Sequence, residues 1–401
     1  MPLSAHFHTG NRKFLQSSLK DREVIVITAH ARLQKSADTT FFHQDRDFLY
    51  LTGIDEPDWV LVITPAEEFL IAPKLHKVEK LFDGGLDHTQ AAGISGVTKV
   101  FEGQAGWLFL KEILKQAKEV QTIQHDDKLW FRTTPNPAHR RLIGRLKART
   151  KAPIVSIHPQ LHKRRAVKQS EEITALKRAI AITGEAMAEV KSKLKTYEYE
   201  YEVAADLTAG FLRRGSPGHA FEPIVASGKN TCTVHYIANN QKLDKPTFLL
   251  MDIGAEFDGY AADISRVYAL SKPTQRQIDL HAAVYSVQQA AVKLIKPGVK
   301  FAEYFTRVDE LMGEQLIKLK LIDTPTRSNV RQYFPYGVSH LLGLDVHDVG
   351  TGGDQFEEGM VVTVEPGIHV PEERLGVRLE DDVLVTKSGS QNLSKHISSD
   401  L

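Results

Sequence analysis

The first part of the chain gathers its apolar residues into short runs, separated by stretches with helical spacing. Short apolar runs predict strands, and apolar residues three and four positions apart predict helices. Strands are predicted at Glu23–Thr28, Trp59–Thr64 and Glu68–Ala72, and helices at Gly106–Ala117 and Pro137–Ala148. We interpret Asp47 to Ile63 as a strand, a Gly/Pro-marked turn and a second strand. This mixture predicts a small α/β N-terminal domain over residues 1–165.

Helical spacing dominates after His158–Lys168, which we interpret as the domain boundary. Ser170 is the expected cap of a long helix, and Gly215 is the expected end of the next one. Further helices are predicted at Glu200–Arg214, Thr274–Lys296 and Phe301–Lys318, and strands at Met360–Glu365 and Val377–Thr386. Residues 166–401 therefore predict an α+β domain with helices on one side of an antiparallel sheet.

The stretch from Phe248 to Leu270 predicts a β-hairpin, because two apolar runs flank the turn signal Phe257-Asp258-Gly259. A turn centred on Phe257 and Asp258 makes Asp252 and Asp263 face each other directly. A turn centred on Asp258 and Gly259 makes them diagonal neighbours. Both registers place the two carboxylates on one face, since side chains alternate along a strand. Like charges so close together are destabilising, so we expect a cation between them.

Three later stretches place ionisable residues among apolar ones. They are His340 and His347 in YGVSHLLGLDVHDVG, Glu365 in VVTVEPG, and Glu380 in GVRLEDDVLVT. Taken singly, a histidine is usually an ordinary core or surface residue, and Glu380 beside two aspartates fits a solvated acidic turn. Glu365 follows an apolar run, where an unpaired carboxylate is costly to bury. Their occurrence together with Asp252 and Asp263 favours a shared metal site.

These five residues, in this order, resemble the ligand set of the pita-bread metallopeptidases. That family includes methionine aminopeptidase, Xaa-Pro aminopeptidase and Xaa-Pro dipeptidase. DFLYLTGIDEPDWVLVI resembles the N-terminal domain of aminopeptidase P, and LHKRRAVKQSEEITALKRA resembles its linker into the catalytic domain. The resemblance implies a pita-bread catalytic domain over residues 166–401, preceded by the smaller α/β domain.

The resemblance implies a site for two divalent metal ions. Asp252 is expected to hold one ion, and His340 with Glu365 the other. Asp263 and Glu380 are expected to bridge the two. Four carboxylates and one imidazole suit Mn²⁺ best, with Co²⁺ or Zn²⁺ as alternatives. Four negative charges also balance two divalent cations.

The implied reaction is hydrolysis of the amide bond before proline, which releases the N-terminal residue of a peptide with proline in the second position. Glu365 is the expected general base. His235 and His347 match two histidines that hold the substrate and stabilise the tetrahedral intermediate. Arg378 matches an arginine near the site.

Tyr336 departs from the family pattern, since most prolidases and aminopeptidases P carry histidine four positions before the metal histidine. A phenol can donate a hydrogen bond to the substrate but carries no positive charge at neutral pH. Tyr336 is therefore either a substrate contact or a packing residue beside Phe334 and Pro335. The first alternative bears on whether the substrate is a dipeptide or a longer peptide.

Composition narrows the remaining possibilities. The formal net charge is +1, and the basic stretch 140–165 has no interleaved aromatic residues, so we expect no nucleic-acid partner. No apolar run reaches transmembrane length, so we expect no membrane association. The single cysteine, Cys232, suits a reducing cytoplasm. The resemblance further implies a homodimer or homotetramer.

We prefer an Xaa-Pro aminopeptidase to an Xaa-Pro dipeptidase restricted to dipeptides, because the N-terminal stretch resembles aminopeptidase P. Two further rivals are a non-catalytic pita-bread protein that binds peptides and a metal-free hydrolase similar to creatinase. Both are disfavoured because all five ligand positions are retained, and four unneutralised buried carboxylates are strongly destabilising.

Overall fold

The computed structural model describes residues 3–124, 135–243, 247–350 and 352–401. The chain divides into two compact units, Met1–Arg164 and Arg165–Leu401. Each unit combines helices with strands, as the sequence predicted. Within the described residues no helix combines the length and apolar character that a membrane span requires.

The first unit is built on a mixed six-stranded sheet. Its helices are α1 (Ala5–Gln16), α2 (Arg46–Thr52), α3 (Lys77–Asp83), α4 (His88–Ser95), α5 (Gly103–Gln116), α6 (Pro137–Lys147) and α7 (His158–Ala166), which begins in this unit. Its strands are β1 (Glu23–Thr28), β2 (Gln34–Lys35), β3 (Asp38–Thr39), β4 (Val60–Ile63), β5 (Glu68–Ala72), β6 (Val100–Glu102), β7 (Glu119–Thr122) and β8 (Ile154–Ser156). The sheet order is β6-β5-β4-β1-β7-β8, with β2 and β3 forming a separate hairpin.

The interpretation of Asp47 to Ile63 as two strands was wrong for its first half, which is helix α2. Asp45 caps this helix, since its carboxylate accepts a hydrogen bond from the Phe48 amide at 2.8 Å. The run Phe48–Leu51 is apolar without a helical period, and a buried helix of one or two turns looks like a strand in such a run. Gly53, with φ +67°, ends the helix.

The second unit packs its helices against several small antiparallel sheets. Its helices are α8 (Ser170–Lys193), α9 (Glu200–Arg213), α10 (Gln275–Leu294), α11 (Phe301–Lys318) and α12 (Arg327–Tyr333). Its strands are β9 (Ile224–Ser227), β10 (Phe248–Ile253), β11 (Glu256–Phe257), β12 (Tyr260–Ala261), β13 (Ile264–Ala269), β14 (Val361–Val364), β15 (Gly367–Val370), β16 (Leu375–Arg378), β17 (Asp381–Thr386) and β18 (Gly389–Asn392). Sheet orders are β13-β10-β9 and β14-β17-β18, with β15-β16 and β11-β12 as pairs.

Three details differ from the predicted elements of this unit. The residue that caps the end of α9 is Arg214, one residue before the predicted Gly215. The cap of α8 is Gln169, one residue before the predicted Ser170. The strand predicted over Val377–Thr386 is divided into β16 and β17, which belong to different sheets, and Glu380 lies at the break. A continuous apolar pattern does not reveal such a change of sheet, because both halves are buried.

The central hairpin adopts the second of the two predicted registers. Asp252 pairs with Ser265, and the same register continues to Phe257 and Tyr260 at the tip. Asp258 and Gly259 both have positive φ, +50° and +83°, as a two-residue turn of type I′ requires. Asp252 and Asp263 are therefore diagonal neighbours on one face.

Gly254 keeps the two strands of the hairpin close together beside the carboxylates. A Cβ atom there would lie 1.6 Å from the Ala262 carbonyl oxygen. Gly254→Ala should therefore destabilise the second unit by more than about 2 kcal/mol, since backbone has to move. Gly389→Ala is the control, because a Cβ atom there meets nothing within 4 Å. Thermal unfolding of both variants tests this, and equal melting temperatures would contradict it.

Candidate active site

All nine side chains predicted to form a site line one cavity of about 540 Å³ in the second unit. They are His235, Asp252, Asp263, Tyr336, His340, His347, Glu365, Arg378 and Glu380. Apolar side chains in the lining are Phe221, Ile224, Val234, Ile237 and Val346. Residues separated by up to 145 positions in the sequence therefore share one pocket.

The carboxylates converge because each is carried at or next to the end of a strand. Asp252 lies near the end of β10, and Asp263 comes directly before β13. Glu365 follows β14, and Glu380 comes directly before β17. Strand ends leave the hydrogen-bonded ladder, so their side chains can turn into a common cavity while the backbone stays fixed.

His340 lies at the centre of this group. Its Nε2 atom is 3.4 Å from Asp263 Oδ2 and 3.4 Å from Glu365 Oε1. Its Nδ1 atom lies 3.0 Å from the Leu341 carbonyl oxygen, which can only accept, so Nδ1 carries the hydrogen and Nε2 presents its lone pair. The Thr363 amide donates to the His340 carbonyl oxygen, and the His340 amide donates to Thr363 Oγ1, which holds this segment against β14. Asp263, His340 and Glu380 offer ligand atoms that all lie within 4.8 Å of one another.

Arg378 and Ser265 connect the remaining two carboxylates. Arg378 donates from Nη2 to Asp252 Oδ2 and from Nε to Ser265 Oγ at 2.9 Å. Ser265 then donates to Glu380 Oε2 at 2.7 Å. Arg378 is fully buried, so one guanidinium faces a pocket of four carboxylates. The negative charge is only partly neutralised by the protein itself.

Burial and mutual repulsion disturb the acidity of these carboxylates. Burial, followed by the charges of Glu380 and Asp252, raises the pKa of Asp263 well above its ordinary value. Burial and the charge of Glu365 do the same to the pKa of Glu380. Burial raises the pKa of Glu365 to about 8, although Arg378 opposes the change. The predicted alternative of a solvated acidic turn at Glu380 is wrong, since Glu380, Asp381 and Asp382 are all buried.

The donor set fits divalent metal ions. The Oδ1 atom of Asp252 is buried without a hydrogen bond, and Nε2 of His340 faces two carboxylate oxygens with a lone pair. Burial and the neighbouring His347 lower the pKa of His340 to about 4, so the ring is neutral and can act as a ligand. Oxygen-rich sites with one imidazole suit Mn²⁺ and related dications.

His235 and His347 line the same pocket and are exposed, and the His347 ring lies edge-on to His340 with centroids 4.5 Å apart. Burial, followed by the charge of His235, lowers the pKa of His347. The segment that carries His347 is fixed through Asp348, which accepts from Arg165 at 2.6 Å and from Lys168 at 2.9 Å. Both histidines can therefore reach a molecule in the cavity without being metal ligands.

Tyr336 is a packing residue that also lines the pocket. Its ring packs edge-on against Phe334 with centroids 5.1 Å apart. The hydroxyl lies 3.1 Å from Nε2 of His369. His369 donates from Nδ1 to the Thr231 carbonyl oxygen at 2.8 Å, so the phenol donates to Nε2. Gly367 leaves room for this bond, since a Cβ atom there would lie 2.0 Å from the Tyr336 hydroxyl.

Ser265, His369, Lys168 and Asp348 belong to the site and were missed from the sequence. Ser265 is two residues after Asp263, and His369 is four residues after Glu365, both inside buried strands. A polar residue in a buried strand next to a proposed ligand was the available signal. Lys168 and Asp348 are far apart in the sequence, and nothing local predicts that they pair.

Residues 174–387 match metallopeptidase family M24, and residues 8–123 match the N-terminal domain of aminopeptidase P. Xaa-Pro aminopeptidase of Escherichia coli (strain K12) is 30% identical over 413 residues, which cover 96% of this chain and 93% of that protein. Xaa-Pro aminopeptidase 3 of Mus musculus is 31% identical over 402 residues, which cover 92% and 78%. The solved structure of aminopeptidase P from E. coli with the inhibitor Pro-Leu has a TM-score of 0.89 and 28% identity, covering 100% of this chain and 97% of that one.

The fold and the carboxylate-lined site define a metalloaminopeptidase. The chain belongs to metallopeptidase family M24, and its first unit carries the N-terminal domain of aminopeptidase P. The predicted family, pita-bread fold class and enzyme class are thereby confirmed.

The raised pKa values predict how stability depends on pH when no divalent cation is bound. Glu365 binds its proton more tightly in the folded chain, with a pKa of about 8, than in the unfolded chain, so stability falls as pH rises through 8. Between pH 7.0 and 8.5 this carboxyl group alone should cost about 1 kcal/mol, or about 2–4 °C in melting temperature. Burial lowers the pKa values of His340, His347 and His369, so their residual protonation in the unfolded chain near pH 7 opposes this effect by a smaller amount.

Thermal unfolding of chelator-treated protein at these two pH values measures the effect. In Glu365→Gln, which cannot ionise, the melting temperature should change less between the two pH values. In the unchanged protein, added Mn²⁺ should abolish the change. A melting temperature that stays constant or rises from pH 7.0 to 8.5 would contradict the account.

Proposed function

We propose that this metalloaminopeptidase hydrolyses the bond between an N-terminal residue and a following proline, with two divalent metal ions in its active site. The observation that carries the proposal is the meeting of four carboxylates and one imidazole in a cavity that apolar side chains also line. The E. coli relative named Xaa-Pro aminopeptidase supports the choice of substrate.

The proposed ligands are Asp252, Asp263, His340, Glu365 and Glu380. Asp252 would hold one ion and His340 with Glu365 the other, while Asp263 and Glu380 would serve both. When bound, two such ions lower the pKa of a water molecule and polarise the substrate carbonyl. Mn²⁺ is the proposed ion, because the four carboxylates make this a hard, oxygen-rich donor set.

The charge of the pocket supports two dications. When ionised, the four proposed ligand carboxylates outnumber the guanidinium of Arg378 by three negative charges. Two dications would leave one positive charge, which an anionic group at the reacting centre can balance. One dication would leave one negative charge, to which such an anionic group would add.

His235 and His347 are the proposed partners of the substrate carbonyl. Both histidines line the pocket and are exposed, so a peptide can reach them. An imidazole N–H can donate to the oxygen that becomes negative in the tetrahedral intermediate. The lowered pKa of His347 keeps its ring neutral, so it donates a hydrogen bond without adding charge to the pocket.

Glu365 is the proposed general base. It takes a proton from the attacking water and returns it to the proline nitrogen as the carbon–nitrogen bond breaks. Thr363 Oγ1 lies 3.4 Å from Glu365 Oε1, and the Glu365 amide donates to the Val338 carbonyl at 2.9 Å. These contacts hold the Glu365 carboxylate beside the other proposed metal ligands.

The apolar side chains of Phe221, Ile224, Val234 and Ile237 suit the proline ring of the substrate. Proline has no N–H group, so these side chains leave no hydrogen-bond donor of that residue without an acceptor. Arg378 and Tyr336 line the same cavity and are the proposed polar contacts for the remainder of the peptide.

The alternative is an Xaa-Pro dipeptidase, which must recognise the carboxylate of proline itself. Arg378 is the one proposed substrate contact with a fixed positive charge, and it is already bonded to Asp252 and Ser265. Tyr336 is neutral, because burial raises its phenol pKa far above the ordinary value. Neither residue offers an unengaged positive charge for a proline carboxylate, which supports the aminopeptidase. The inhibitor Pro-Leu of the E. coli structure also supports it, since Pro-Leu has the form of the product released from a tripeptide.

A comparison of an Xaa-Pro dipeptide with the matching Xaa-Pro-Xaa tripeptide tests the substrate. We expect Mn²⁺-loaded protein to cleave the tripeptide before proline, and a chelator to stop the reaction. A tripeptide with alanine in place of proline serves as the control and should be cleaved far more slowly. Cleavage of the dipeptide alone would make the protein a dipeptidase, and failure to cleave either would overturn the proposal.

His347→Ala should separate metal binding from turnover. We expect bound metal to be unchanged, since His347 is not a proposed ligand, and kcat to fall by about 10²–10³, the usual loss for a carbonyl-stabilising donor. His396→Ala removes an exposed histidine that does not line the cavity and should leave kcat unchanged. A near-normal kcat for His347→Ala would remove this residue from the mechanism.

A homodimer or homotetramer in the cytoplasm remains part of the proposal. Helix α3 exposes Val78, Leu81 and Phe82, with 52%, 81% and 80% of their surface accessible, and such apolar side chains favour association. Cys232 is a free thiol, which suits a reducing compartment. Light scattering of the purified protein would test the oligomeric state.

A further inference from the structure

A second group of metal-type donors lies in the first unit, outside the active site. His30 comes shortly after β1, Asp45 caps α2, and His139 lies in the first turn of α6. Nε2 of His139 is 3.0 Å from Asp45 Oδ2, and Nε2 of His30 is 3.5 Å from the same oxygen. Ligand atoms from the three residues lie within 4.8 Å of one another. The proposed hydrolysis uses none of them.

The tautomer of His30 follows from its other ring nitrogen. Nδ1 lies 2.9 Å from the His43 carbonyl oxygen, which can only accept, so Nδ1 carries the hydrogen. In the neutral ring Nε2 then directs a lone pair towards Asp45 Oδ2. Two hydrogen-bond acceptors, Nε2 of His30 and Oδ2 of Asp45, therefore face and repel each other. A cation bound between them would attract both. Histidine ligands of metals are commonly oriented by such a bond to a backbone carbonyl.

Asp45 is fixed in a matching way. Its Oδ1 atom accepts from the Phe48 amide, which leaves Oδ2 to face the two histidines. Gln44, which is buried, accepts through Oε1 from the amides of His30 and Asp45, each at 2.9 Å. One side chain therefore holds the backbones of two proposed ligands together, and the group is organised before any ion arrives.

The distances suit a small dication. Ligand atoms about 2.1 Å from a tetrahedral ion lie about 3.4 Å apart, close to the two separations observed. His30 is partly exposed and lines a cavity of about 670 Å³ with His43 and Asn136, so an ion can enter and a water molecule can complete its coordination.

We propose that His30, Asp45 and His139 form a binding site for a transition-metal dication, with Zn²⁺ as the best-suited ion. Two imidazoles and one carboxylate are a softer donor set than the four carboxylates of the active site. An ion bound there would cross-link the end of β1, the start of α2 and the first turn of α6. It would stabilise the first unit and leave the proposed reaction untouched.

Zn²⁺ binding to the full-length, Mn²⁺-loaded protein tests the proposal. The unchanged protein should bind one more Zn²⁺ per chain than Asp45→Asn, measured by elemental analysis after gel filtration. Its melting temperature should also rise with Zn²⁺, and this rise should be lost in the variant. Asparagine is as good a helix cap as aspartate, so α2 keeps its start while the anionic ligand is removed.

Two further variants guard the interpretation. His30→Ala alters a partly exposed ligand and should weaken Zn²⁺ binding by at least about tenfold. His158→Asn alters the group Asp47, His158 and His162, whose ligand atoms also lie within 4.8 Å of one another, and should retain the extra Zn²⁺. Mn²⁺-dependent peptide cleavage should be normal in all three variants, which shows that they fold.

Equal Zn²⁺ binding by the unchanged protein, Asp45→Asn and His30→Ala would overturn the proposal. It would assign the group to a hydrogen-bonded network in which His30 is protonated and paired with Asp45. Loss of the extra Zn²⁺ only in His158→Asn would overturn it as well and move the site to the other group.

Discussion

Four buried carboxylates in one pocket are the constraint on which the second unit depends. Burial raises the pKa values of Asp263, Glu380 and Glu365, and the charges of neighbouring carboxylates, Asp252 in each case, raise them further. Arg378, which donates hydrogen bonds to Asp252 and Ser265, neutralises only part of this negative charge. A fold that keeps such a group together has to hold it rigidly, and cations are expected to complete it.

Rigid strands with small residues at close approaches supply that support. The hairpin of β10 and β13 needs glycine at position 254, and the type I′ turn at Asp258-Gly259 sets the register in which Asp252 and Asp263 are diagonal neighbours. Behind the carboxylates, Asp381 is held by Arg266 at 2.7 Å, while Asp382 accepts from the Asp263 amide at 3.2 Å. The acidic run at Glu380 is thus divided between the pocket and its supports.

Period-two alternation was sufficient to predict the shared face of the two aspartates, and the turn preference of Asp-Gly could have selected the observed register. The ligand set and pocket residues came from a family resemblance, and the structure brings them together in one cavity. Helix α2 was missed because its buried run has no helical period. Ser265, His369 and the pairing of Lys168 with Asp348 depend on contacts between distant segments, which local pattern does not encode.

The metal content of the protein tests the central claim most directly. Chelator-treated protein would be incubated with Mn²⁺, freed of unbound metal and analysed beside Asp263→Asn, which removes one bridging carboxylate and nearly keeps its shape. The account predicts two metal ions per chain in the unchanged protein and a loss of metal together with activity in the variant. A folded, active protein without bound metal, or a variant that keeps both ions and its activity, would contradict it.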